Sequence, residues 1–148
     1  MSTNALITII DEDHQEICRV YKHWDGYPDG LGAFIFDFIE DRTLTNGIPC
    51  EWKNEKISNG MWDFAAQFVA TLKEGNKPGD TYLLPRGAKF STIEYSYEIL
   101  PDGDSIKCRV YKVTFDGISR MEKTEENLKA KISPSVPRED SEDDYVPF

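Results

Sequence analysis

Two residues that could do acid–base chemistry, His23 and Asp25, open a passage containing three glycines and a proline, residues 23–32. An imidazole and a carboxylate at this spacing could act as a general base and the group that orients it. The glycine backbone could also admit a substrate phosphate. The chain has no second histidine at a useful spacing, and it lacks the Walker-type phosphate loop and the G-x-S-x-G nucleophile turn. Catalysis is therefore the least favoured of three interpretations.

The same passage has two simpler interpretations. The favoured one is structural: its glycines and Pro28 form a tight connection from strand to helix, because glycine permits unusual backbone angles and proline fixes its own φ. The other is a non-catalytic ligand pocket, with His23, Asp25, Tyr27 and Asn59 as its candidate residues. We predict neither a metal nor a cofactor.

Apolar periodicity predicts the elements that position this passage. Two β-hairpins flank two helices, and a short strand precedes the second hairpin. The second helix is apolar on most sides, which is typical of a central, buried helix. Residues 43–56 are predicted as a loop. The predicted strands are residues 5–10, 16–24, 81–84, 93–99 and 106–115, and the predicted helices end near Asp41 and Glu74.

These elements define an α+β fold, with an antiparallel sheet of about five strands covered on one face by two helices. A length of 148 residues and a hydrophobic content of 39% favour one globular domain, residues 1–132. Residues 133–148 are a Pro- and Ser-containing linker followed by an acidic tail. This segment is too polar to bury a core, which predicts disorder.

The charge balance limits the classes of partner. Lys and Arg number 17 against 27 Asp and Glu, a formal charge of −10. This balance disfavours non-specific binding to nucleic acid or to anionic membranes, and it favours basic-surfaced partners. No apolar run approaches the roughly 18 residues of a membrane-spanning helix, and the first residues lack a signal-peptide pattern, so we expect a cytoplasmic protein.

The three cysteines, Cys18, Cys50 and Cys108, share no C-x-x-C spacing. We therefore expect reduced thiols instead of a disulfide framework or a zinc site. Two of them begin a repeated segment, C-R-V-Y-K, at residues 18–22 and 108–112. A duplicated hairpin and a coincidence between similar strands both explain this repeat, and the unmatched flanking segments favour coincidence.

Two short motifs mark the first hundred residues. D-G-Y-P-x-G-x-G covers residues 25–32, and N-G-M covers residues 59–61. With these motifs, residues 5–100 resemble a family of small, functionally uncharacterised microbial and phage proteins. The resemblance implies no activity, and the chain departs from it at Asn4, where an arginine is expected. The other residues that carry it are Ala5-Leu6-Ile7, Tyr21-Lys22-His23, Asn46-Gly47 and Ala65-Ala66-Gln67.

The last ten residues, 139–148, combine acidic side chains with an apolar end. They finish with Asp143, Asp144, Tyr145, Val146, Pro147 and Phe148. This segment resembles the acidic C-terminal tip of bacterial single-stranded-DNA-binding proteins, in which aspartates precede an aliphatic residue, a proline and a terminal phenylalanine. Tyr145 stands where that family has an aspartate. The resemblance implies that these six residues bind proteins of DNA replication and repair.

Three functions remain as alternatives. The favoured one is a non-enzymatic binding protein that docks on, or competes for, proteins that recognise such tips. The second is a single-stranded-DNA-binding protein, although residues 1–137 carry 16 Lys and Arg against 22 Asp and Glu. The third is a small-ligand-binding protein or enzyme with a pocket at residues 23–32. The aromatic residues that could stack on bases in the second case are Tyr21, Trp24, Trp52, Trp62 and Tyr95.

Overall fold

The computed structural model describes residues 2–47, 56–75, 77–89 and 92–113, and the backbone of residues 121–123. The predicted tail, its linker and Cys50 lie outside these residues. The described chain forms a six-stranded sheet, a two-stranded sheet and two helices. The strands are β1 (Ala5–Ile10), β2 (Glu16–Lys22), β3 (Thr43–Leu44), β4 (Ile57–Ser58), β5 (Thr81–Leu84), β6 (Tyr95–Asp102), β7 (Ser105–Val113) and β8 (Met121–Lys123), and the helices are α1 (Ala33–Ile39) and α2 (Gly60–Leu72).

The large sheet has the strand order β5-β2-β1-β6-β7-β8. Its two hairpins, β1–β2 and β6–β7, and the α+β class are confirmed. The structure differs from an all-antiparallel sheet at one junction, where β1 and β6 run parallel. The segment between them contains both helices and is long enough to make the crossover that parallel neighbours require. The turns that follow β1 and β6 therefore lie at the same end of the sheet.

Both helices cover one face of this sheet. Alternate residues of the four central strands, such as Ile7, Val20, Tyr97 and Val110, point toward the helices and are fully buried. The helices contribute Ala33, Ile35, Ile39, Met61, Phe64, Ala65 and Phe68 to the same core, and Leu31 joins it from the turn before α1. Burying large side chains such as Phe64 stabilises the fold by roughly 1.5–3 kcal/mol each.

Several element boundaries depart from the sequence expectations. Only one side of α2 is buried, because Trp62 and Ala66 face solvent, so the prediction of a helix buried on most sides is wrong. The first helix ends at Ile39, followed by Asp41 with a positive φ of 62°. The first two residues of the predicted loop at 43–56 form β3, which pairs in parallel with β4, the two residues directly after the loop.

The repeated C-R-V-Y-K segments occupy β2 and β7, and the cysteine and valine of both point toward the helices. However, β2 lies on one side of β1 and β7 on the opposite side of β6, while β1 and β6 are parallel. Superposing β1 and β2 on β6 and β7 therefore requires a half-turn about the strand direction. That rotation would turn the core-facing cysteine and valine of the first hairpin away from the helices. The repeat is therefore explained by two core-facing strands of similar composition and not by duplication of a hairpin.

Candidate functional site

The backbone of residues 23–32 is fixed to the centre of the sheet through Gly26. The Gly26 N–H donates to the Thr3 carbonyl at 2.8 Å, and the Gly26 carbonyl accepts the Tyr97 hydroxyl at 2.7 Å. A Cβ at position 26 would lie 2.8 Å from the Cβ of Ala5 and 2.9 Å from the Thr3 carbonyl oxygen. Burial raises the pKa of Tyr97 far above its usual value, so its hydroxyl remains a donor. Only glycine fits at position 26.

The second half of the passage is held by a backbone hydrogen bond between its own residues. Asp25 has a positive φ of 59°, and its carbonyl accepts the Leu31 N–H at 2.9 Å. A Cβ at position 30 would lie 2.7 Å from that carbonyl oxygen, so Gly30 is also required by close approach. A π-helical turn, Pro28–Gly32, then leads directly into α1. The structural interpretation thus accounts for Gly26 and Gly30 by contacts and for Pro28 by its place in the first turn.

The side chains of the passage do not form a base–carboxylate pair. The Nδ1 atom of His23 lies 2.9 Å from the Tyr21 hydroxyl, and the His23 ring contacts that of Trp24 edge-on. Asp25 instead accepts the Tyr27 hydroxyl at 3.2 Å. This bond to the carboxylate raises the pKa of Tyr27. No hydrogen bond in the described chain joins His23 to Asp25, so the predicted pair of a base and its orienting carboxylate does not form.

One cavity of about 400 Å³ adjoins the passage, and we call it the Lys22 cavity. It is lined by Lys22 and Asp25, by Phe34 of α1, and by residues 71–74, 77 and 79–81. The buried Lys22 ammonium forms an ion pair with Asp80 at 2.6 Å and donates to the Trp24 carbonyl at 2.9 Å. The other Asp80 carboxylate oxygen accepts the Trp24 N–H at 2.9 Å. Lys22 and Asp80 therefore join the end of β2 to the start of β5.

Lys73, a third charged residue that lines this cavity, is also hydrogen-bonded to the backbone. The Lys73 ammonium donates to the carbonyls of Gly79 and Thr81 at 2.8 and 3.0 Å, and it lies over the ring of Tyr82. These bonds tie the end of α2 to β5. Lys22, Lys73 and Asp80, three of the six charged residues in the described lining of this cavity, therefore stabilise the fold and are not available to a ligand.

A second cavity, of about 570 Å³, lies at the end of the sheet where β1 and β6 finish, and we call it the Trp62 cavity. It is lined by Glu12, by residues 44–46 and 59–62, and by residues 103–104. The predicted pocket residues are thus divided: Asn59 lines this cavity, Asp25 lines the Lys22 cavity, and His23 and Tyr27 line neither. The motifs at Asn46-Gly47 and Asn59-Gly60-Met61 meet here instead.

The turn after β1 organises the start of α2. Glu12 accepts the Met61 N–H at 2.7 Å, and Asp11 accepts the Trp62 indole N–H at 3.2 Å. Backbone N–H groups of Gln15 and Asp13 also donate to Asp11, and these bonds hold its pKa below the ordinary value. Sequence reasoning missed Glu12 and Asp104 as members of one site, because only the parallel pairing of β1 and β6 brings their turns together.

The aromatic residues proposed for base stacking are dispersed. Tyr21 is buried and Tyr95 is half-buried, whereas Trp24 and Trp62 are exposed, and Trp52 lies outside the described residues. Trp62 lines its own cavity, and Trp24 lines neither of the two cavities. The four of these residues that the structure describes therefore do not form one continuous surface on which successive bases could stack.

Comparison with known proteins gives no match: no family model, no curated protein and no solved structure is significantly similar to the chain. The two sequence resemblances stay predictions. Within the described ranges no group of three or more His, Cys, Asp or Glu side chains is placed to hold a metal ion, and neither Cys18 nor Cys108 forms a disulfide with another described residue. None of the helices in the described part of the chain has the length and apolar character needed to cross a membrane.

Replacing Gly26 by alanine should destabilise the protein. The added methyl group meets Ala5 and the Thr3 carbonyl, so the turn must move away from β1 and the bond from Tyr97 weakens. We expect a loss of roughly 1–3 kcal/mol in the free energy of unfolding, measured by urea denaturation. The control is Gly103→Asn, because position 103 has open space and a φ of 66° that asparagine tolerates. Wild-type stability of Gly26→Ala would show that the passage is not fixed by this contact.

A double-mutant cycle on Lys22 and Asp80 tests whether the Lys22 cavity is structural. Lys22→Met and Asp80→Asn should each lower the unfolding free energy by about 1–3 kcal/mol, because each leaves a largely buried charged partner poorly compensated. The double variant should lose less than the sum of the two.

Lys77→Met is the matched control, since this exposed lysine lines the same cavity without a hydrogen bond to any described residue. It should change stability by less than about 0.5 kcal/mol. Equal stability of the Lys22 and Lys77 variants would mean that the Lys22 ammonium is available for another role.

Proposed function

We propose that the chain is a non-enzymatic binding protein of the cytoplasm whose tail, residues 139–148, docks on proteins that recognise the tips of single-stranded-DNA-binding proteins. The observation that carries this proposal is the order of residues Asp143, Asp144, Tyr145, Val146, Pro147 and Phe148. A tail that only solubilises the domain does not need an apolar end.

The chemistry of the segment suits a detachable peptide ligand. Phe148 can fill an apolar pocket, and Pro147 reduces the entropy that is lost when the peptide becomes ordered. Residues 138–148 carry five Asp and Glu and one Arg, which steers the segment toward a basic surface. The proposal requires Phe148 to carry the α-carboxylate, because a rim Arg or Lys of the partner would bind that group.

The folded domain is compatible with this assignment. The passage at residues 23–32 is accounted for by packing, and the ion pair of the Lys22 cavity serves the fold. The excess of acidic residues in residues 1–137 disfavours binding to DNA phosphates and leaves basic DNA replication and repair proteins as the favoured partners. The likeness of residues 5–100 to phage proteins is compatible with competition for host partners.

A displacement assay tests the proposal. A fluorescent peptide with the tip sequence of a bacterial single-stranded-DNA-binding protein is bound to a bacterial repair protein that recognises it, and our protein, tagged at its N-terminus, is added. We expect the intact chain to displace the peptide. Deleting Phe148 should weaken displacement by roughly tenfold or more, because Phe148 is the anchoring side chain.

Two further variants sharpen this assay. Adding two glycines after Phe148 should weaken displacement as strongly as the deletion, since the α-carboxylate is moved, whereas Ser135→Ala in the linker should behave like the original chain. All variants should keep the same melting temperature. If the chain lacking Phe148 displaces the peptide equally well, or if the intact chain displaces none, the proposal is wrong.

A further inference from the structure

We propose that the Trp62 cavity binds an organic cation, with an ammonium or guanidinium group held between the indole of Trp62 and the carboxylates of Glu12 and Asp104. This site lies in the folded domain and is independent of the tail. Its residues come from three separate turns and the start of α2, which meet because β1 and β6 are parallel.

The indole ring of Trp62 is the first component of the site. It is 61% exposed, although it stands on a helix whose neighbouring residues Met61 and Phe64 are fully buried. The ring is also oriented, since its N–H donates to Asp11. An exposed aromatic face in a fixed orientation attracts a cation through the quadrupole of the ring, and tryptophan does so most strongly.

The charges around the cavity are the second component. Glu12 and Asp104 are its charged lining residues, and no Lys, Arg or His is among the described residues that line it. One oxygen of Glu12 accepts the Met61 N–H, which leaves the second oxygen available. The Asp104 carbonyl accepts the Leu44 N–H at 2.8 Å and fixes that turn, while its carboxylate has no hydrogen bond or ion pair with the described residues. None of the described lining side chains offers a positive charge to a phosphate or another anion.

The loop around residues 44–47 supplies polar groups beside these charges. The side-chain oxygen of Asn59 accepts the Gly47 N–H at 2.7 Å, and Thr45 donates to the Gly47 carbonyl at 2.9 Å. The amide of Asn46 is exposed and could accept from the N–H groups of a bound cation. An aromatic face with two carboxylates and an amide matches a guanidinium or ammonium better than it matches a neutral or anionic ligand.

The test uses the full chain labelled with ¹⁵N and follows the indole N–H signals by NMR while agmatine is added. Trp62→Phe assigns the Trp62 signal. A site-specific signal is needed because the acidic tail also attracts cations. We expect a saturable shift of the Trp62 signal at millimolar agmatine or below, and a weaker shift at high salt.

The variants decide between a site and a general electrostatic effect. Asp104→Asn should raise the dissociation constant about fivefold, the upper end of the range for an exposed charge pair. Asp37→Asn, which removes the same charge from an exposed position on α1, should leave it unchanged. Trp62→Ala, followed through the backbone signals of residues 103–104, should abolish the saturable shift while the melting temperature stays close to that of the original chain.

Three outcomes would overturn the proposal: no Trp62 shift at tens of millimolar agmatine, equal effects of the Asp104 and Asp37 variants, or equally strong binding of methyl glucoside, which would make the ligand a neutral polyol.

Comparing agmatine with N-acetyl-arginine-N-methylamide separates a free cation from a peptide-borne arginine. Tighter binding of the arginine derivative would identify the cation as a side chain of a partner protein, and tighter binding of agmatine would identify it as a small molecule.

Discussion

The close approach of Gly26 to the first strand is the contact on which the rest of the fold depends. Its backbone lies against Thr3 and Ala5, and its carbonyl accepts the hydroxyl of Tyr97 from β6. This contact joins the start of β1, the neighbouring parallel strand and the entrance to α1 at one point. The direction of α1, and with it the packing of α1 on the sheet, follows from this contact, because the π-helical turn begins only two residues later.

The two cavities differ in how their charged groups are used. Around the Lys22 cavity, Lys22, Lys73 and Asp80 are bonded to one another or to backbone carbonyls and N–H groups. A ligand that bound any of these three groups would have to break contacts that hold β5 in place. Around the Trp62 cavity, the Asp104 carboxylate and one oxygen of Glu12 accept no hydrogen bond from the described residues. These oxygens can bind a charged group without breaking a contact that the fold uses.

Local patterns in the sequence were sufficient for much of the fold. Alternation identified both hairpins, and the second helix was predicted to end near Glu74, two residues beyond its observed end at Leu72. The same patterns could not show that β1 and β6 are neighbours, because alternation assigns a residue to a face of a strand and not to a partner strand. Without that pairing, the sequence analysis placed Asn59 in one candidate pocket with His23. It also could not predict that Glu12 and Asp104 line the same cavity. Apolar periodicity alone could not decide whether Trp62 is a core residue or an exposed one.

Native-state hydrogen exchange of the Gly26 and Leu31 amides tests most directly whether residues 23–32 are a fixed structural element. Both amides donate to backbone carbonyls within this junction, at 2.8 and 2.9 Å. We expect their exchange to require the same opening free energy as that of the Ile7 amide in the buried centre of β1, because the junction opens only when the sheet does. Exchange of Gly26 and Leu31 through local openings, at a rate close to that of the exposed turn at Gly103, would contradict this.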